Sequence, residues 1–247
     1  MVLFKLFRFT LSAFIAVMVL VLTMQAVIAA PKEQKPIARQ LLKSMKERNV
    51  DIRAPIYMRA FKKEGIIEIW KQSRYKTYAL VAIFPICTYS GNLGPKMKEG
   101  DNQTPEGFYT ITPGLMHPKS NYHLAFNIGF PNQYDRANNR TGSYIMVHGK
   151  CKSIGCFAMT DGGMEQIFAF AREAFKAGQP SFEFHSFPFK MTEENMAKYE
   201  NSPNKDFWLS LKPAYDLFEQ TRQPPHVIVC DKSYVISSYD KMPECKL

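Results

Sequence analysis

Cysteine, tryptophan and histidine are scarce in this chain of 247 residues, which holds five, two and five of them. So few cysteines exclude a disulfide-dense scaffold, and an odd number leaves at least one thiol unpaired within a monomer. Glycine (13) and proline (16) are too few for a collagen-like chain. The sequence has no internal repeat, no heptad pattern and no low-complexity segment, so repeat architectures are excluded. Acidic residues are in deficit. Asp and Glu total 22 against 32 Lys and Arg, a formal net charge of +10 that points to an anionic partner or surface. What is present is 46% hydrophobic and 13% aromatic residues. That is enough apolar material for a sizeable core, and the length allows one large domain or two small ones.

Only one stretch is long and apolar enough for a membrane, and it lies at the start. Lys5 and Arg8 precede an apolar run from Phe9 to Ile28, and Val27-Ile28-Ala29 has the small-residue pattern of a cleavage point. Residues 1–29 therefore read as an export signal. An uncleaved inner-membrane anchor is the competing reading, since about 20 residues span a bilayer. Both place the rest of the chain outside the cytoplasm, in the periplasm on the reading taken further below. Cleavage would remove two positive charges and leave 30 − 22 = +8.

Residues 30–52 form a linker or an amphipathic helix, with Ile37, Leu41, Leu42 and Met45 at helical spacing. From Pro55 the period becomes two. Ile56–Phe61 and Ile66–Trp70 read as a hairpin turned at Gly65. Tyr78–Ile86, Phe108–Ile111, Ala125–Ile128 and Tyr144–His148 read as further strands. In the last, alternation puts Tyr144, Met146 and His148 on one face. Thr160 or Asp161 caps a helix that stops at Gly178 and Pro180, and Ser181–Phe187 returns as a strand. The tail from 191 has helical spacing at Phe207, Leu211, Tyr215 and Phe218, with Pro213 expected to kink or restart it. A small hairpin follows, Val227–Val229 with Tyr234–Ser237. The fold class is α+β and β-rich: a domain over 53–190 and a helical and hairpin extension over 191–247 packed on it.

The segment that carries chemistry is His148-Gly149-Lys150-Cys151-Lys152-Ser153-Ile154-Gly155-Cys156. A thiol attacks a carbonyl as thiolate, and an adjacent imidazole is the usual way to form it near neutral pH. An eight-residue step from a strand end through a turn can fold Cys156 back onto His148. Gly155 allows close backbone approach, and the amides around Gly155 and Cys156 can face a developing oxyanion. Three other uses of these residues compete. A buried Cys and a satisfied core His are each common. His148, Cys151 and Cys156 are three potential metal ligands, but zinc sites usually draw on two close pairs and the second is missing. Disulfides are the third: Cys230 with Cys245, and Cys87 with Cys151, both compatible with an exported chain.

At these residues the sequence resembles the YkuD-type L,D-transpeptidases of bacterial cell walls, within them the YafK-like branch. The resemblance rests on His148-Gly149, Ser153-Ile154-Gly155-Cys156 and Thr104-Pro105-Glu106-Gly107. It extends through Cys87-Thr88-Tyr89-Ser90-Gly91, Asn127–Asn132, Tyr134-Asp135-Arg136, Lys205–Trp208 and Phe218–Arg222, so that it covers roughly 53–238. It implies a cysteine acyl-enzyme with Cys156 as nucleophile and His148 as general base. Gly155 would lend its backbone to the oxyanion hole and Ser153 would support the loop. The implied substrate is the peptidoglycan stem peptide, attacked at the meso-diaminopimelate carbonyl, with no metal and no organic cofactor. The His–Cys spacer is shorter than usual for the family. Ile154 stands where a polar residue is common, and Ala158 where an Arg is common. With the YafK-like features, these departures imply hydrolysis as an amidase that releases a covalently attached outer-membrane lipoprotein.

Tyr134, Asp135 and Arg136 offer polar groups suited to the zwitterionic end of diaminopimelate, with Gly149 beside them as a substrate-side residue. A hydrogen-bonded loop is the competing role. A catalytically silent peptidoglycan-binding module with the same fold is the alternative function, although the presence of both His148 and Cys156 argues against it. Nucleic acid is excluded as a partner by export and by the lack of a recognition motif.

Overall fold

The computed structural model describes residues 30–245, so the export-signal reading lies outside the described residues. No described helix is long and apolar enough to cross a membrane. The chain forms an α+β structure around a nine-stranded mixed sheet in the order β4-β9-β1-β2-β3-β8-β7-β6-β5. Its strands are β1 (Ile56–Phe61), β2 (Ile66–Gln72), β3 (Tyr78–Thr88), β4 (Gly107–Ile111), β5 (Met116–His117), β6 (Ala125–Asn127), β7 (Met146–His148), β8 (Phe157–Met159) and β9 (Phe182–Phe187). β10 (His226–Cys230) and β11 (Ser233–Ser237) form a separate hairpin. The helices are α1 (Arg39–Glu47), α2 (Gln133–Ala137), α3 (Asp161–Lys176), α4 (Glu193–Lys198) and α5 (Lys205–Thr221).

The first hairpin forms as its pattern predicts: β1 and β2 pair antiparallel from Ile56↔Lys71 to Phe61↔Ile66, and Gly65 takes φ +63. The alternation in β1 does not separate a wet face from a dry one, because all six residues are buried. Ile56, Met58 and Ala60 join the main core. Tyr57, Arg59 and Phe61 point the other way, and the tail covers them. Phe61 joins Trp208, Leu211 and Tyr215 in a second cluster, and Tyr57 meets Phe218 in a third. Arg59 is tolerated there because Glu68 accepts from its Nε and Nη2 at 3.0 and 2.8 Å, and Glu219 from its Nη1 at 2.7 Å. α5 runs through Pro213 as one helix rather than restarting.

At the other end of the chain, residues 32–47 are ordered against α3. Gln166 accepts from the Ala38 amide at 2.7 Å, and Arg172 donates to the Glu33 carbonyl at 2.7 Å. Thr160 caps α3 by accepting from Gly163 N–H, as read from the sequence. Three strands come out shorter than expected, while others gain one or two residues. Ala125 pairs only as far as Asn127, Ser181 precedes its strand, and Tyr144 lies outside β7 with φ +52. An L residue with φ near +50° cannot continue a pleated strand, so the predicted face of Tyr144, Met146 and His148 holds only for the last two. Both candidate disulfides form, Cys87–Cys151 with Cα atoms 5.1 Å apart and Cys230–Cys245 with Cα atoms 5.5 Å apart.

One ion pair sits at the centre of the loop system. Lys62, just past β1, is fully buried with Glu106 at 2.9 Å. Its ammonium also donates to the carbonyls of Asn92 (2.8 Å), Gly94 (3.1 Å) and Thr104 (2.9 Å). Glu106 accepts in addition from Gly94 N–H and from Trp208 Nε1 of α5. Burial pushes the Lys62 ammonium down in pKa, and the Glu106 carboxylate opposes that. Removing one partner strands the other charge in the core. Lys62→Ala is expected to cost about 3–5 kcal/mol, read as a lower midpoint in equilibrium urea unfolding.

His185 gives a second prediction. Its ring is fully buried, Tyr57 Oη lies 2.8 Å from Nδ1, and burial pushes its pKa down to about 3. In the unfolded chain a histidine titrates near about 6.5. The unfolded state therefore takes up a proton that the folded state refuses. Stability from this group is complete above about pH 6.5 and is lost as pH falls toward 3. Urea midpoints measured from pH 7 to pH 4 should fall more steeply in the wild type than in His185→Gln, by up to about 1.4 kcal/mol per pH unit.

Candidate active site

Two very short strands create the site. β7 and β8 pair in parallel, with Val147 opposite Phe157 and His148 opposite Ala158. Val147 and Phe157 are fully buried and face the core. Cys156 immediately precedes β8 and its thiol lies beside Met146 of β7, the strand that ends at His148. The Met146 amide points at Cys156 Sγ at 3.4 Å, and the thiol faces the Tyr144 carbonyl at 3.7 Å. No hydrogen bond joins the thiol to the imidazole in this resting arrangement. Cys156 is the free cysteine of the five.

His148 is buried, and its Nδ1 lies 2.6 Å from the carbonyl oxygen of Gly149. A carbonyl only accepts, so Nδ1 carries the proton and Nε2 keeps its lone pair. The ring of Tyr122 lies over the imidazole with centroids 4.8 Å apart. Burial pushes the His148 pKa down, partly offset by the Gly149 carbonyl. Burial also pushes the Cys156 thiol up, opposed by the Met146 amide and by the charge of Lys96. Both shifts favour an uncharged thiol and an uncharged imidazole at rest, ready for proton transfer rather than already an ion pair.

The turn before Cys156 is held by hydroxyls. Ser153 Oγ donates to the Cys156 carbonyl at 2.7 Å and accepts from Gly155 N–H at 3.2 Å. Thr104 Oγ1 donates to the same carbonyl at 3.3 Å. The Gly155 amide is thus engaged by Ser153, whereas Cys156 N–H has no hydrogen-bond partner among the described residues. The Cys156 amide is thus without an internal acceptor, and Met146 N–H already donates toward Sγ. Gly155 takes φ +126, outside the range of L side chains. Around the thiol stand two exposed apolar side chains, Tyr144 (74%) and Ile154 (83%).

Three of the substrate-side residues read from the sequence share one short helix. Tyr134-Asp135-Arg136 lie in α2, not in a loop. Tyr134 stacks on Tyr234 of β11 with centroids 4.1 Å apart. Asp135 is buried, closes a capping box with Asn132 and pairs with Arg140 at 3.1 Å. Arg136 is partly exposed and donates to the Pro131 carbonyl. Gly149 does lie beside His148. A Cβ there would come within 2.6 Å of Asp161 and 3.0 Å of His123, so only glycine fits. Cys151, the middle member of the possible metal set, is engaged in its disulfide. Sequence reasoning missed Tyr122, Lys96, the Thr104 hydroxyl and the Gly149 carbonyl. Only Thr104 had a signal, its place before Pro105 in a quoted motif.

A family model described as the L,D-transpeptidase catalytic domain, YkuD, matches residues 64–180. A protein provisionally named L,D-transpeptidase YafK, found in two strains of Escherichia coli, is 47% identical over 184 residues, 74% of this chain and 74% of its own length. Among solved structures, a mutant of the helical cell shape determining protein Pgp2 from Campylobacter jejuni aligns over 78% of this chain and 67% of its own. That alignment has 19% identity and a TM-score of 0.46.

The hydroxyl-held turn yields a prediction. Gly155→Ala forces a side chain into φ +126 and brings its Cβ to 3.4 Å from Ile145 Cδ1. The variant should lose about 1–3 kcal/mol in urea unfolding. It should also alkylate at Cys156 more slowly than wild type, followed by peptide mass analysis.

Proposed function

Since the chain belongs to the YkuD family of L,D-transpeptidase catalytic domains, we propose that it is a periplasmic cysteine acyl-enzyme that opens peptidoglycan stem peptides at the meso-diaminopimelate carbonyl. The observation that carries this reading is that His148 ends β7 and Cys156 directly precedes β8, the strand paired parallel to it, with Nδ1 of the imidazole tied to Gly149 and Nε2 left to act. We assign residues 53–190 to the catalytic domain, 30–52 to an N-terminal segment and 191–247 to an extension.

In the first step His148 Nε2 takes the thiol proton and Sγ attacks the carbonyl carbon. The oxyanion is met by the amides at Cys156 and Met146, not by the amide of Gly155, which Ser153 holds. Collapse breaks the C–N bond, and the imidazolium returns its proton to the leaving amine. A thioester to Cys156 remains. In the second step His148 draws a proton from water as its oxygen bonds to the thioester carbonyl carbon; the S–C bond then breaks, the imidazolium returns the proton to Sγ, and the acid leaves as a carboxylate once its own proton is lost to solvent. An amine in place of water would instead form a new amide bond.

We favour water. Ala158 lies directly opposite His148 on β8 and adds no cationic or hydrogen-bonding side chain to that face. Exposed Tyr144 and Ile154 make the rim apolar, which suits a polypeptide better than a second sugar-linked stem. The leaving group is then the C-terminal lysine of a lipoprotein attached to peptidoglycan. Tyr134 and Asp135 act as supports of the tail on this reading, and Arg136 is the one of the three still free to meet substrate.

The test uses sacculi carrying attached lipoprotein and, separately, free tetrapeptide muropeptides. Wild-type protein should release lipoprotein without forming new cross-links, and Cys156→Ala should lower that release by at least about a hundredfold. New diaminopimelate–diaminopimelate links would replace the amidase by a transpeptidase. Equal products from wild type and Cys156→Ala in both assays would overturn the catalytic reading and leave a binding module.

A further inference from the structure

We propose that the Cys87–Cys151 disulfide is a positioning device for His148: by pinning the loop between His148 and Cys156, it holds the Gly149 carbonyl against the imidazole, so that activity depends on this pair staying oxidised. This rests on the reading of His148 as the base for Cys156.

The argument starts at the peptide between Gly149 and Lys150. Its carbonyl is the group that holds Nδ1 of His148, at 2.6 Å. The direction of that carbonyl follows from the rotation of the same peptide plane, hence from the backbone angles of Gly149 and Lys150. Lys150 and Cys151 both sit in the left-handed region, with φ +67 and +47. Two consecutive L residues there are disfavoured by roughly 1–2 kcal/mol each, so something must hold them. Both side chains are exposed, so burial does not do it.

Four links do. Asp161 accepts from Lys150 N–H at 2.8 Å, Met159 O accepts from Cys151 N–H at 3.2 Å, and Thr88 Oγ1 donates to the Cys151 carbonyl at 3.3 Å. The fourth is the covalent bond to Cys87 near the end of β3. The bonds to Asp161 and from Thr88 lie at the surface and exchange with water at little cost, which leaves the Met159 carbonyl and the disulfide as the inner ties. The disulfide also closes a loop across a separation of 64 residues, and so restricts the opened chain far more than a local contact would.

Reduction by a dithiol breaks the one S–S bond. The reductant becomes a cyclic disulfide, and its two electrons and two protons leave Cys87 and Cys151 as thiols. Lys150 and Cys151 are then free to relax to negative φ, which turns the Gly149 carbonyl away. Nδ1 loses its acceptor, the other tautomer becomes populated, and Nε2 is no longer held as the base. The second disulfide, Cys230–Cys245, lies in the tail hairpin and its following residues and touches none of these groups.

The test compares wild type, His148→Gln, Cys87→Ser/Cys151→Ser and the control Cys230→Ser/Cys245→Ser. The rate of Cys156 alkylation is read by peptide mass analysis from pH 5.5 to 9.5, beside thermal melts. Wild type and the tail control should share a profile in which alkylation at pH 7 exceeds that of His148→Gln by at least about tenfold. Cys87→Ser/Cys151→Ser should fall onto the His148→Gln profile while still melting cooperatively. Should that variant not fold, the tail control is treated with dithiothreitol, desalted without reoxidation, and read in the same way at Cys156 alone. A lowered melting temperature with an unchanged wild-type pH profile would overturn the positioning role and leave a structural staple. If wild type itself showed no His148-dependent excess, the acyl-enzyme reading would fall and take this inference with it.

Discussion

The buried pair of Lys62 and Glu106 is the interaction on which the rest of the structure depends. A fully buried ammonium is stable only with a counter-charge and enough acceptors, and here it has one carboxylate and three carbonyls. Meeting that requirement gathers three segments that are distant in sequence: the end of β1, the loop through Asn92 and Gly94, and the run into β4. Trp208 adds α5 through Glu106. From the same node the order reaches the thiol. Thr104, whose carbonyl binds Lys62, turns its hydroxyl to the carbonyl of Cys156. The turn before Cys156 is therefore tied through two hydrogen bonds to this buried charge.

The second constraint is the neutrality of the resting site. Burial moves the thiol and the imidazole in opposite directions, one up and one down, and both shifts discourage a preformed thiolate–imidazolium pair. A thiol kept protonated is less open to oxidation than a thiolate. On the proposed function, proton transfer then accompanies attack, so the orientation of His148 matters more than its average basicity. That gives weight to the backbone carbonyl of Gly149 and to whatever fixes it.

The candidate pair was legible in the sequence because its chemistry is local: a histidine at a strand end, a glycine-bearing turn and a cysteine eight residues on. The strands that join them were only half legible. β8 is three residues long, too short to show a period, and nothing in Phe157-Ala158-Met159 announces that it pairs parallel to β7. Tyr134, Asp135 and Arg136 were read as polar groups suited to the zwitterionic end of diaminopimelate, against a competing role in a hydrogen-bonded loop. An Asn cap and a buried partner, Arg140, turn them into a helix instead. The alternation of β1 was read correctly as a strand, yet its second face is covered by a tail that begins more than a hundred residues later.

By itself the sequence determined the elements with long apolar periods, the first hairpin, the capped helix α3, the family to which the chain belongs, and the candidate pair of thiol and imidazole. These follow from local patterns and from side-chain chemistry, which travel with the residues. Only the tertiary structure decided that Cys156 directly precedes a strand paired parallel to that of His148, that Gly149 supplies the acceptor for Nδ1, that Ser153 accepts from the Gly155 amide, and that Cys87 reaches Cys151. The first and last depend on where separate backbone segments cross, whereas the contacts of Gly149 and Gly155 are local and depend on the positive-φ turn between His148 and Cys156.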